Sequence, residues 1–501
     1  MKEDWVEMTV GEVADYLNGR GFKKSEWETR GLPIIRIQNL NDSEAPFNYT
    51  QGTFQQRYSV KDGDLLFSWA ASLGVYIWNR GDAWLNQHIF KVVPKSFLLK
   101  HYMRYFLENT IQNFYAQTHG SGMVHITKRK FEATSIKLPS LNEQQAIVNK
   151  IEELFSSLDS GIADLKKAKD QLKIYRQAVL KKAFEGELTK EWREKQTNLP
   201  TEDELLEQIE NGRQSFFNKQ IEEWELELKI WKEQGEVDKK PKKPRPLTVP
   251  DEPNNGHIER KWDIPKKWIW SQIGTLCFVT KLAGFEYTDY VNYDENGDLP
   301  VLKAENAGPN GFKKTDFSKV KSESVKMLKR SQIFGGELLV VFVGAGTGNV
   351  AMVPNNQRYF LGPNIGMARP YFGLNSKYLE LFLQSAFGKS LMMSAVKAVA
   401  QPSLSMSTIR QAPIAFPSIK EQHQIVQEIE SRLSVCDAVE QNILESLEKA
   451  QALRQSILKK AFEGKLLSEK EITKCKAHPD YEPASVLLDK IKSSRKEKVK
   501  S

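Results

Sequence analysis

The sequence predicts an α+β protein built twice over: two similar mixed α/β domains, each followed by a long helix, with the two helices pairing in an intramolecular coiled coil. Three observations predict it. First, the heptapeptide LKKAFEG stands at 180–186 and again at 458–464, and from it a gapless alignment runs back to 138 and 416. Roughly two aligned positions in five are identical, which marks an internal duplication. Second, both aligned stretches carry apolar residues at the three-then-four spacing of a coiled-coil seam. Third, the regions before them carry strand-like and helix-like runs in matching order.

The first domain, residues 1–140, holds the strand-like runs LPIIRIQ, DLLFSW and GVYIW, separated by glycine-containing turns. Residues 95–117 read as an amphipathic helix. The first long helix is expected over 141–189, with its seam on Ile151, Leu154, Leu158, Leu165, Ala168, Leu172, Tyr175 and Val179. Glu143 and Gln144 follow a Pro-Ser pair, where the helix dipole favours negative and polar groups. Gly186 is placed to cap the far end.

A charged connector is expected over 190–266. Its first part is helical by spacing, from Leu205 and Ile209 to Trp224 and Trp231; its second part, VDKKPKKPRPLTVPDEPNNG, is too rich in proline to be a helix. A solvated, extended connector is the expectation. The second domain, 267–417, repeats the first with LPVLKA, ELLVVFV and NVAMV as strands and 375–396 as the amphipathic helix. The second long helix, 418–467, has its seam on Ile425, Ile429, Leu433, Cys436, Val439, Ile443, Leu447, Ala450, Leu453 and Ile457, with Glu421 and Gln422 at its start and Gly464 at its end. A tail, 468–501, closes the chain.

Such seams suit another long helix better than a globule, and each helix has the other as its nearest equal. The duplication continues faintly outside the helices, as WVEMTVG at 5–11 and WIWSQIG at 268–274, and as GDLLF at 63–67 and GELLV at 336–340.

Composition narrows the function. The longest apolar run, 338–343, is far short of the roughly 20 residues of a membrane span, and MKEDWVEM has no apolar signal-peptide core, so a cytoplasmic protein without a membrane partner is expected. Cys277, Cys436 and Cys475 match no zinc or redox spacing, so no metal is expected. A net charge of +8 permits a nucleic-acid partner without establishing one.

The most tempting chemical motif is VVFVGAGTGNV, where Gly344, Gly346 and Gly348 follow an apolar strand in the manner of S-adenosylmethionine and dinucleotide sites. Those sites continue into a helix. Here AMVPNNQRYFLGPN follows, with two prolines and the pattern of a second strand, so a glycine-rich hairpin is expected. With no Walker loop, amino-methyltransferase tetrapeptide or paired-carboxylate nuclease motif either, the expectation is a chain that performs no catalysis.

What remains suits DNA. Arg36, Gln38, Asn39 and Asn41 follow a strand of the first half, and Lys303, Glu305 and Asn306 hold the matching place in the second. His125, Thr127, Lys128, Arg129 and Lys130 align with Ser403, Ser405, Ser407 and Arg410, before each long helix. Arginine, glutamine, asparagine and lysine read base edges, while lysine, serine and threonine hold phosphates.

Two divergent domains, each followed by a similar long helix that starts LPSLNEQQAIV or FPSIKEQHQIV and ends LKKAFEG, resemble the DNA-specificity subunit of type I restriction-modification systems. The resemblance covers almost the whole chain, including the WDIPKKWIW entry to the second half and the EPASVLLDKI tail; the long 190–266 connector departs from the simplest family pattern. It implies two target-recognition domains, each reading half of a bipartite, asymmetric double-stranded DNA sequence. It also implies an antiparallel coil with pseudo-twofold symmetry, whose length sets the gap. Two modification subunits would dock on this scaffold and methylate adenine, and restriction subunits would join them. S-adenosylmethionine, ATP and Mg would then sit on those partners, with no cofactor bound by this chain. Residues that meet two identical partners should be alike in both halves, so Lys181, Lys182, Phe184, Lys459, Lys460 and Phe462 are the candidate docking residues. A self-contained S-adenosylmethionine-dependent methyltransferase and a coiled-coil scaffold without DNA are the rival expectations.

Overall fold

The duplication that is faint in the variable halves of the sequence is complete in their strand order. The computed structural model describes residues 4–116, 125–237, 240–250, 263–393, 403–486 and 489. In the first half, an antiparallel sheet has the order Ala14–Asn18, Ile89–Pro94, Leu65–Ser68, Gly74–Ile77. A mixed sheet has the order Asn48–Thr50, Leu32–Ile35, Ala83–Leu85, Ser59–Val60, and Val6–Thr9 pairs with Ser135–Leu138.

The second half repeats this strand for strand. Its antiparallel sheet runs Cys277–Lys281, Ile365–Pro370, Leu338–Val341, Val350–Met352; its mixed sheet runs Lys319–Val320, Leu299–Leu302, Tyr359–Leu361, Gln332–Ile333; and Ile269–Gln272 pairs with Pro413–Phe416. Even the parallel pair recurs, Ile34 beside Trp84 in one half and Val301 beside Phe360 in the other. The second half adds a small hairpin, Ala307–Gly308 with Gly311–Phe312.

The central strands Leu65–Ser68 and Leu338–Val341 are buried at every residue, which is why they read as apolar runs and not as an alternation. Their two faces feed different cores. Leu65 and Phe67 pack toward the helical layer with Phe114 and Phe131, whereas Leu66 packs with Ile35, Val60 and Leu85 of the mixed sheet. Leu338 and Val340 divide from Leu339 and Val341 in the same way.

The first amphipathic helix is Lys100–Ala116, shorter than expected. Its counterpart is two helices, Ser376–Gln384 and Ala386–Met393, broken at Ser385, whose backbone is extended and whose hydroxyl accepts from the Gly388 amide. Positions 117 and 394–396 of the expected helices lie outside the described residues.

Both long helices have 44 residues, Leu141–Phe184 and Ile419–Phe462. Gly186 and Gly464 beyond them both adopt φ of +74°, the left-handed cap conformation. The chain divides into two units, one of Met1–Lys167 with Asn442–Ser501 and one of Ala168–Gln441. In each, the start of one long helix packs against the end of the other. Ile147, Val148, Ile151 and Phe155 share a core with Ile457, Leu458 and Ala461 in the first unit; Ile425, Val426 and Ile429 share one with Val179, Leu180 and Ala183 in the second. The pairing is therefore antiparallel.

The seam departs from expectation at three places. Tyr175, Val439 and Leu453 are 46%, 40% and 52% exposed, and the neighbouring Arg176, Glu440 and Arg454 take the inward positions. Arg176 reaches Asp437 at 2.6 Å and Glu440 at 3.2 Å; Arg454 reaches Asp159 at 2.8 Å and lies 3.9 Å over the Phe155 ring. A one-residue step in each case keeps the three-four rhythm and brings opposite charges together across the helix pair.

The start of each long helix is locked into its domain by the same buried contacts. Ser140 and Ser418 cap the backbone amides of Glu143 and Glu421. The carboxylates accept from the Trp5 and Trp268 indoles at 3.0 and 2.9 Å, which explains why tryptophan opens both repeats. The side-chain carbonyls of Gln144 and Gln422 accept from the Leu99 and Asn375 amides. Tyr102 and Tyr378, wholly buried, donate to the carbonyls of Lys137 and Ala415. Burial, and next the nearby Glu143 or Glu421 carboxylate, raise both phenols far above their ordinary range, so both remain neutral donors.

The connector is not an extended solvated link. Glu202–Glu233 is one helix with a Thr201–Glu204 capping box, and its first half docks on the second domain through Leu205 and Ile209. Arg213, 4% exposed, donates to the carbonyls of Gly274, Thr275 and Leu247, and Phe216 packs on Phe278 and Tyr371. The described part of the proline-rich stretch returns along this helix, where Trp224 donates to the Pro241 carbonyl. Part of that stretch, 238–239 and 251–256, lies outside the described residues.

Candidate nucleic-acid interface

The two candidate DNA-contact clusters of each half are far apart in sequence, and the strand order brings them to one rim. In the first domain, Arg36 follows the strand that ends at Ile35, whose carbonyl accepts from the Asn86 amide. Asn86 bridges to Arg20, and the next residues lead through His88 to the strand Ile89–Pro94. The Trp69 amide donates to the His88 carbonyl, the Ile126 amide to the Trp69 carbonyl, and Ala70 bridges to His125. The rim is thus one end of the antiparallel sheet.

The second domain builds the same rim from different side chains. The Gly362 amide donates to the Leu302 carbonyl beside Lys303, the Leu404 amide to the Phe342 carbonyl, and Val343 bridges to Ser403. Thr127 and Ser405 are matching N-caps, accepting from the Lys130 and Thr408 amides. Lys128, Arg129, Lys130 and Ser407 are exposed, as is Arg410, which also donates to the Val279 carbonyl at 2.9 Å. Arg36 lies 5.2 Å over Trp27, and Lys303 is held by Ser318 at 2.7 Å and over Tyr293 at 4.7 Å. Gln38, Asn41 and Glu305 are exposed, and Asn41 accepts from the Tyr76 hydroxyl.

Two expected base readers are corrected. Asn39 and Asn306 are 0% and 1% exposed and serve their own loops. Each accepts from a backbone amide three residues earlier, Arg36 or Lys303. Each also donates inward, Asn39 to the carbonyls of Ala45 and Pro46, Asn306 to the Lys313 carbonyl and the Thr315 hydroxyl. Asn39→Ala should therefore lower stability by about 1–3 kcal/mol by stranding buried groups. Urea unfolding reads this loss, and an unchanged midpoint would refute the structural role.

One expected docking residue, Phe184, is corrected as well, and Phe462 is partly buried in the matching contact. Phe184 is 2% exposed and packs edge-on against Tyr378 and Phe382; Phe462 meets Tyr102 and Phe106 in the same way. Each phenylalanine of the repeated heptapeptide plugs the core of the domain from the opposite half of the duplication. Lys181, Lys182, Lys459 and Lys460 remain exposed; Lys181 and Lys459 lie near Glu185 and Glu463 one turn on.

The glycine-rich stretch is a hairpin. Leu338–Val341 and Val350–Met352 pair antiparallel around it, with the Gly348 amide donating to the Val341 carbonyl, and no helix follows. The rim residues that sequence reasoning missed are Asn18, Trp69 and His88, matched by Lys281, Phe342 and Asn364. The aligned GDLLFSW and GELLVVF could have paired Trp69 with Phe342.

The sequence profile described as the type I restriction modification DNA specificity domain matches residues 2–170 and 265–449, one match over each half. The chain belongs to this family. Among specificity subunits, it is 25% identical to that of the type I restriction enzyme EcoBI from Escherichia coli, over 98% of this chain and 93% of that protein. It is 22% identical to that of EcoKI from Escherichia coli strain K12, over 99% and 96%. The fold is shared with the HsdS subunit from Thermoanaerobacter tengcongensis, at a TM-score of 0.51 and 17% identity over 93% of this chain and 98% of that one. It is shared too with a chain from a study of complex assembly and conformational transition of the type I R-M system, at a TM-score of 0.62 and 16% identity over 93% and 99%. This specificity-family chain has no described helix long and apolar enough to cross a membrane.

Proposed function

We propose that the chain is the non-catalytic specificity subunit of a type I restriction-modification complex, binding a bipartite, asymmetric double-stranded DNA site with one half-site per domain. The observation that carries this reading is the pair of rims, alike in backbone and unlike in side chains: His125 answers Ser403, and Arg36 answers Lys303. A shared frame with different reading groups is what two unlike half-sites require.

The two 44-residue helices supply a stiff spacer, at about 1.5 Å per residue, and their length sets the gap. Two modification subunits, carrying S-adenosylmethionine, dock on the parts the duplication keeps alike, with Lys181, Lys182, Lys459 and Lys460 among them. Restriction subunits bring ATP and Mg. The complex works in the cytoplasm.

Footprinting of the chain assembled with its modification subunits tests the reading. Two protected blocks separated by an unprotected gap are expected. No protection would favour a scaffold without DNA, and S-adenosylmethionine binding to the isolated chain would favour a self-contained methyltransferase.

A further inference from the structure

One device recurs at the same point of both rims. Asn18 ends the strand Ala14–Asn18, opposite Phe90; Lys281 ends the matching strand Cys277–Lys281, opposite Gly366. Both side chains are exposed, and both are held by the aromatic residue that follows the central strand. The Trp69 indole donates to the Asn18 side-chain carbonyl at 3.3 Å, and the Lys281 ammonium lies 5.0 Å over the Phe342 ring. Two chemically different contacts, a hydrogen bond and a cation–π interaction, do the same mechanical work. Each fixes a polar head at the sheet end, so less rotamer freedom is lost when that head meets a ligand.

We propose that Asn18 and Lys281 are matched base-reading residues, each setting one base of its domain's half-site, with Trp69 and Phe342 as positioning residues. This rests on the reading that each domain binds one half-site. The chemistry of the heads gives the bases. Asn18 presents an amide donor and the second lone pair of its carbonyl, which suits the paired donor and acceptor edge of adenine. Lys281 presents donors alone, which suits the two acceptors of guanine. The halves differ here because two unlike half-sites need unlike heads on one frame.

The test is the methylation motif of a host carrying the full complex with Asn18→Lys, and separately with Lys281→Asn. The first variant should shift one position of the first half-site from adenine toward guanine, leaving the second half-site and the gap unchanged. Lys281→Asn should do the reverse in the other half-site. Should either exchange abolish modification, Asn18→Ala and Lys281→Ala remove the heads without adding new ones, and each should make one position of its own half-site degenerate. An unchanged motif in the alanine variants overturns the proposal, as does a uniform loss of affinity across all sequences, the mark of a phosphate contact. A wild-type motif that is not bipartite would instead sink the two-half-site reading, and this proposal with it.

Discussion

Replacing Arg193 with alanine should destabilise the second unit by about 3–5 kcal/mol, the cost of removing one member of a buried ion pair. Its partner Glu421 has a side chain only 1% exposed, reached by Arg193 at 2.6 Å. The same carboxylate accepts from Thr189 at 2.8 Å and from the Trp268 indole at 2.9 Å, at the first turn of the second long helix. Without Arg193 the carboxylate stays buried and loses its countercharge. Arg193→Lys should recover part of the loss, because an ammonium restores the charge without the fork that also reaches the Gly186 carbonyl. Urea unfolding measures the effect, and an unchanged midpoint for the alanine variant would show that the lock does not depend on this pair.

Phe184→Ala should cost about 3–5 kcal/mol, as truncation of a buried phenylalanine does. The ring is seated between Tyr378 and Phe382, at centroid distances of 5.6 and 5.1 Å, so its removal leaves a cavity among close-packed side chains. Phe462→Ala should cost less, because Phe462 is only partly buried. The two variants should also differ in place: hydrogen exchange should rise around Tyr378 and Phe382 for the first and around Tyr102 and Phe106 for the second. Exchange rising instead in the domain that precedes each helix would contradict the crossed plugging.

The repeated heptapeptide shows how far sequence carries. Helix ends were legible because the signals are local: a Pro-Ser start, paired lysines, then glycine. The place of each phenylalanine was not, because its partners are distant along the chain, Tyr378 and Phe382 for Phe184 and Tyr102 and Phe106 for Phe462, and only folding brings them together. Asn39 and Asn306 failed for a related reason. Their residue type suits base reading and loop capping equally, and only burial separates the two. Hydrophobicity favours Tyr175 for the inward position, yet Arg176 holds it because Asp437 and Glu440 of the other helix draw it there. The stripe of Leu205 and Ile209 was visible, but its receiving surface, which includes Ile273 and Leu276, is assembled from distant strands. The rim followed the opposite course. Residue chemistry marks its two clusters separately along the sequence, and the mixed and antiparallel sheets place them together.

The central claim is that two unlike readers are held at a fixed separation by the paired helices. Inserting four residues, about one turn, into each long helix and sequencing the resulting methylation motif tests it most directly. The account predicts both half-sites unchanged and a changed gap between them. Half-sites that change while the gap stays constant would contradict it.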